Sequence, residues 1–271
     1  MLGSPGLRNS PTIASPTPYG FAQGLLQNDE IEKFLLHFFA LSAHAYTRGT
    51  FTTPESSNIA DRDVAPVAYA SAGVVTVPTY LKWMLAYEEP ETRTLWLGKA
   101  VPRDWLAAGE APLNAKNVTT RYGRISFSLT VGVAADNSSS SSSSSEGGGT
   151  DGGGNSGGDK GGGGDFVNEG FASSTGAYVV HANITLPASY ADKATQPAGG
   201  IRLRIRAPIV HAGKLSKVTI GGQAWTAFNA AEETIDIAAG KLTASLIATG
   251  LPTIVATFGA TEAALLSLAR H

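Results

Sequence analysis

The sequence predicts an α+β protein, with helices followed by an antiparallel β-sandwich that carries a disordered Ser/Gly-rich insert. Three observations lead there. Ile31, Phe34, Leu35, Phe38, Leu41 and Ala45 recur at three- and four-residue spacing, the period of one helix face. Past Pro90 the apolar residues alternate instead: Ile125, Phe127 and Leu129 are separated by Ser126 and Ser128, the pattern of a half-buried strand. Residues 136–170 are mostly Ser, Gly, Asp and Asn, and such a segment buries too little apolar surface to order itself.

Residues 1–18 are expected to be irregular, because Pro5, Pro11, Pro16 and Pro18 interrupt regular structure. Tyr19 to Leu26 read as a short helix ending near Asn28. Asp29 suits the N-cap of a long helix over 30–46, with Glu30 and Glu32 at its positive end. Leu36 and Phe39 widen its apolar face, so it is expected to lie between other helices. His37 and His44 share a face. They read as core-edge histidines, since a metal pair needs closer spacing or further ligands, and no metal or cofactor is expected. A long loop reaches Tyr69, and a second helix opens at Ser71 or Gly73, carries Pro78 in its first turns and runs to about Glu88.

Strands are expected over 94–97, 118–121, 122–129, 178–186, 200–207, 217–220, 223–225, 234–237 and 253–258, with a helical turn over 102–106 and a terminal helix over 261–270. Gly221-Gly222 marks a hairpin. The insert reads as an expanded hairpin loop, because strands ending at residue 131 would otherwise lack partners. The chain thus divides into an irregular segment (1–18), a helical segment (19–90) and a β-domain (91–271) interrupted at 136–170.

Composition excludes several partners. A net charge of -2, with Arg clustered only at Arg202, Arg204 and Arg206, argues against nucleic acid. Those three arginines share one strand face, which offers an anion site, a solvated face, or pairing with acidic neighbours. There are no cysteines, hence no disulfides. No apolar run is long enough to span a membrane, and residues 1–20 lack the apolar core of a secretory signal, so the chain is expected to stay in the cytoplasm.

The stretch Thr47-Arg48-Gly49-Thr50-Phe51-Thr52-Thr53-Pro54-Glu55 combines a guanidinium, a flexible Gly, an aromatic ring, hydroxyls and one carboxylate, the chemistry of a carbohydrate-facing loop. With its flank from Ala43, it resembles the late part of the six-hairpin glycosidase-like superfamily. Further matching stretches are Val75–Pro78, Lys82–Leu85, Leu95–Leu97, Lys99–Leu106 and Arg121–Phe127. The resemblance implies the last helices of an (α/α)6 toroid running into a C-terminal β-domain. Only about two of twelve toroid helices are expected, so the chain reads as a C-terminal part of a carbohydrate-active, glycoside hydrolase-like protein that is inactive alone. The alternative is a non-catalytic carbohydrate-binding or structural β-sandwich module.

By that resemblance Glu55 occupies the place of the general base, in the loop before the last helix. Arg48 is then expected to bind sugar hydroxyls or a carboxylate, and Tyr46, Phe51 and Tyr69 to stack on sugar rings. Read from residue type alone, Glu55 equally suits a turn cap or a pair with Arg48, and the aromatics suit loop anchors. The expected partner is carbohydrate. Self-association is expected through apolar helix faces that two helices cannot cover.

Overall fold

The computed structural model describes residues 12–14, 18–45, 52–58, 64–65, 69–133 and 177–259. In chain order the elements are β1 (Thr12–Ala14), α1 (Tyr19–Gln27), α2 (Ile31–Ala45), β2 (Ser56–Asn58), β3 (Val64–Ala65), α3 (Ser71–Val74), α4 (Thr76–Leu85), β4 (Ala86–Glu88) and β5 (Leu95–Leu97). There follow β6 (Leu113–Thr120), β7 (Gly123–Val133), β8 (Tyr178–Thr185), β9 (Ile201–Arg204), β10 (Leu215–Ile220), β11 (Gln223–Trp225), β12 (Phe228–Asn229), β13 (Thr234–Ile237), α5 (Ala244–Thr249) and β14 (Ile254–Phe258). The protein is a mixed α+β structure in which two larger sheets dominate the described residues.

One sheet has the order β11-β10-β14-β8-β7-β6, antiparallel throughout. Strands β7 and β8 flank the Ser/Gly-rich insert and pair directly, from Ser126 opposite Thr185 to Val133 opposite Tyr178, as an expanded hairpin requires. The insert itself lies outside the described residues, as does the expected helix over 261–270. Gly221 and Gly222 both take positive φ and close the β10–β11 hairpin, the conformation that favours glycine in a two-residue turn.

The other large sheet has the order β12-β13-β9-β5-β4. Its β5–β9 pair is parallel, with Leu95 opposite Ile201 and Trp96 opposite Arg202, where antiparallel pairing was expected. Strand alternation divides these residues between two cores. Leu95, Leu97, Ile201, Leu203, Ile235 and Ile237 point one way and share a buried cluster with Ile125, Phe127, Val180, Ile184, Ile254 and Phe258 of the six-stranded sheet. Trp96 and Tyr87 point the other way, into a second cluster with Leu26, Phe34, Phe38, Leu41, Tyr80 and Met84 of the helices.

Several boundaries differ from the sequence expectation. The helix expected to reach Glu88 ends at Leu85, and Ala86–Glu88 become β4. The helical period runs on through this segment, but ladder pairing of Ala86 with Leu97 and Tyr87 with Trp96 prevails. Pro78 is accommodated inside the first turn of α4, where its missing N–H removes no helical bond. Strand β6 opens at Leu113, earlier than the expected Val118, and β9 ends at Arg204 rather than reaching Ala207. Within the segment expected to be irregular, Thr12–Ala14 pair antiparallel with Ser56–Asn58.

Helix α2 follows the expected period. Phe34, Phe38 and Leu41 are buried against α1 and α4, and each such side chain contributes roughly 1.5–3 kcal/mol by leaving water. His37 is buried, edge-on to Phe21 and tilted against Tyr80, so its ring is part of this core. On the helices Phe21, Leu36, Phe39, Val74 and Leu81 remain exposed, as does Val75 between α3 and α4.

Candidate functional site

Two described features are candidates for a functional role: the segment that carries Glu55, and a charged seam where the helices meet the five-stranded sheet. Tyr46, Arg48 and Phe51 lie outside the described residues. Glu55 is half-buried just before β2, following buried Thr53 and Pro54. Tyr69 is exposed at 73%. The amide of Ala70 donates to the Thr53 carbonyl at 2.9 Å, so the segment bearing Glu55 and the one bearing Tyr69 are tied together.

The seam begins at Asp29, between α1 and α2. Its backbone takes φ 57, a left-handed conformation that Asp tolerates better than most residues. This turns the carboxylate onto the sheet. Arg204 donates to both of its oxygens, Nη1 at 2.7 Å and Nη2 at 2.6 Å. Lys99 donates to the same group at 3.1 Å. Asp29 was expected to cap α2; its carboxylate serves these two cations instead, because they are buried and need a counter-charge.

Lys99 also lies over the Trp96 ring, with Nζ 3.5 Å from the centroid, while Arg202 and Arg204 flank that ring at 4.9 and 5.4 Å. Burial pushes the Lys99 ammonium down from its ordinary pKa, and Asp29 offsets part of that. For Asp29 burial alone acts upward, but the hydrogen bond and charge of Arg204, with Lys99, outweigh it and hold the carboxyl below its usual range.

Further along the seam Arg206, also buried, donates to Glu32 and to the Val101 carbonyl. Arg103 pairs with Glu233 at 2.8 Å and donates to the Ala207 carbonyl. These groups surround a polar cavity of about 240 Å³. Arg202 pairs with Asp236 across the β9–β13 ladder. Of the three possibilities for the arginine row, pairing with acidic neighbours holds. The anion site does not form, since each guanidinium already meets a carboxylate.

Chemically the seam is a clamp. Arg204 and Arg206, on or just past β9, hold Asp29, in the turn before α2, and Glu32, in its first turn. Sequence reasoning missed Asp29, Lys99, Arg103 and Glu233 in this role. Lys99 carried a readable signal, a lone cation after the apolar run Leu95–Leu97 and before Ala100-Val101. No family model, curated protein or solved structure matches the chain.

Proposed function

We propose that this chain is the helical tail and β-sandwich of a six-hairpin glycosidase-like, carbohydrate-active protein, and that on its own it holds carbohydrate without cleaving it. In this reading the two sheets sharing one core form the sandwich, and α2 and α4 are the toroid helices seated on it. The loop from Thr47 to Glu55 faces the sugar, with Arg48 and Glu55 meeting hydroxyls and Tyr46, Phe51 and Tyr69 meeting ring faces.

The observation that carries the reading is the clamp. A carboxylate in the turn just before α2 is held by two buried cations, Lys99 and Arg204, so the entry of that helix is fixed on the sheets. A support of this kind suits a loop whose side chains must meet a ligand in one geometry. Glycoside hydrolysis needs a general acid opposite the base, and the reading names none to stand opposite Glu55.

The test is a glycan array probed with the whole chain and with a Glu55→Gln, Tyr69→Ala variant. The reading expects at least one class of oligosaccharide to bind, and the double variant to lose it. Equal binding by both forms would remove the loop from the reading, and binding to no glycan would remove carbohydrate.

A further inference from the structure

A second cavity, of about 260 Å³, opens where α4 ends and β6 begins, lined by Leu85, Trp105, Glu110, Ala111, Leu113 and Asn114. Of the four tryptophans, Trp105 is the exposed one, at 38%. Its indole N–H has no partner among the described residues, unlike that of Trp225, which donates to the Asp236 carbonyl at 3.1 Å. The turn that carries it, Arg103–Leu106, is anchored from below: Leu106 is buried and its carbonyl receives the Tyr178 hydroxyl. The ring is therefore presented on a fixed base.

The polar groups beside it are free to act on a ligand. Glu110 is exposed and makes no ion pair among the described residues, whereas Asp29, Glu32, Glu88, Glu233 and Asp236 are all paired. Asn114 donates Nδ2 to the Pro112 carbonyl at 3.0 Å, which orients its amide and leaves Oδ1 available. Leu85, Ala111 and Leu113 supply apolar walls.

We propose that this cavity binds a single pyranose ring. One face of a pyranose is a patch of C–H groups that rests on an indole, and the hydroxyls at its edge meet a carboxylate and an amide. The volume lies below the roughly 300–1,000 Å³ of sites for larger ligands, which suits one ring. A cationic ligand is the competing occupant of a Trp–Glu pair, but recognition of that kind encloses the charge in several aromatic faces, and here the other walls are aliphatic. The inference stands apart from the Glu55 loop, since none of its residues belong to that loop.

The test follows the four indole N–H signals of the ¹⁵N-labelled whole chain by NMR, with Trp105 assigned through Trp105→Phe. Methyl β-glucopyranoside, methyl β-galactopyranoside and methyl α-mannopyranoside are titrated in turn, and tetramethylammonium in parallel. At least one glycoside is expected to shift the Trp105 signal with saturation in the millimolar range. Asn114→Ala, at an exposed position, is expected to weaken that response about fivefold. Glu55→Gln is expected to leave it unchanged, so this site and the loop fail separately. A response to tetramethylammonium and to none of the glycosides would make the cavity a cation site and overturn the proposal. So would glycoside shifts confined to other indoles, or no shift at all.

Discussion

Asp29 receives both arms of the Arg204 guanidinium from a position 175 residues earlier in the chain. Arg204 sits at the end of a strand whose alternate residues pack the core between the sheets, so the contact ties the turn between α1 and α2 to that core.

Asp29→Ala leaves Arg204 and Lys99 buried without their carboxylate. The expected loss is about 3 kcal/mol in urea denaturation, the lower end for breaking a buried pair, because Asp29 itself is 43% exposed and partly screened. A loss below about 0.5 kcal/mol, the scale of an ordinary surface change, would mean the clamp does not hold the helices.

Acid should weaken the same contacts. Asp29 and Glu88 both titrate below their ordinary range when folded. At Glu88 burial acts upward, but the hydrogen bonds from Arg121, with Lys82, outweigh it. The unfolded chain therefore binds more protons as pH falls past about 4, the ordinary carboxylate value. The stabilisation from these groups is complete above that value and is lost as pH drops through the lower folded values. Denaturation midpoints at stepped pH should fall in that window, with a shallower fall in Asp29→Asn, Glu88→Gln. An identical fall in the variant would assign the acid response to other groups.

Gly98 bears on the clamp from the other side. It takes φ +68, and an added Cβ would stand 2.7 Å from the Arg204 carbonyl oxygen. Gly98→Ala is expected to cost about 2 kcal/mol through strain and displacement of that backbone. Stability equal to the native chain would show that β5 and β9 yield there without penalty.

Long-range pairing is where the sequence was least readable. Helix α2 announced itself through Phe34, Phe38 and Leu41, and the β10–β11 hairpin through Gly221-Gly222, since both signals are local. Strand β4 did not, because Ala86-Tyr87 continues a helical period and only the distant partners Leu97 and Trp96 make it a strand. The parallel register of Trp96 with Arg202 left no local trace. Asp29 looked like a cap for the same reason: its neighbours in sequence suggested a helix start, and its partners lie in β9 and beside β5. Of the residues expected to face sugar, Glu55 and Tyr69 are carried on segments joined by the Thr53–Ala70 bond, which no spacing rule reports.

Deleting residues 136–170 should leave the β7–β8 ladder in register, since its pairs run from Ser126–Thr185 to Val133–Tyr178 without them. A shorter closure lowers the entropy cost by about 0.6 kcal/mol for each halving of the loop, so a gain of about 1 kcal/mol is expected. Failure of the deleted chain to fold would contradict the hairpin.

In the proposed function a sugar-facing loop held on the sheets binds carbohydrate without cleaving it. The direct measurement is calorimetric titration of the whole chain with an oligosaccharide selected on the array, with reducing ends assayed in the same sample afterwards. The expected result is saturable heat, at least tenfold weaker binding in Glu55→Gln, and no new reducing ends. Release of reducing sugar by the native chain, or saturable heat indifferent to Glu55, would contradict it.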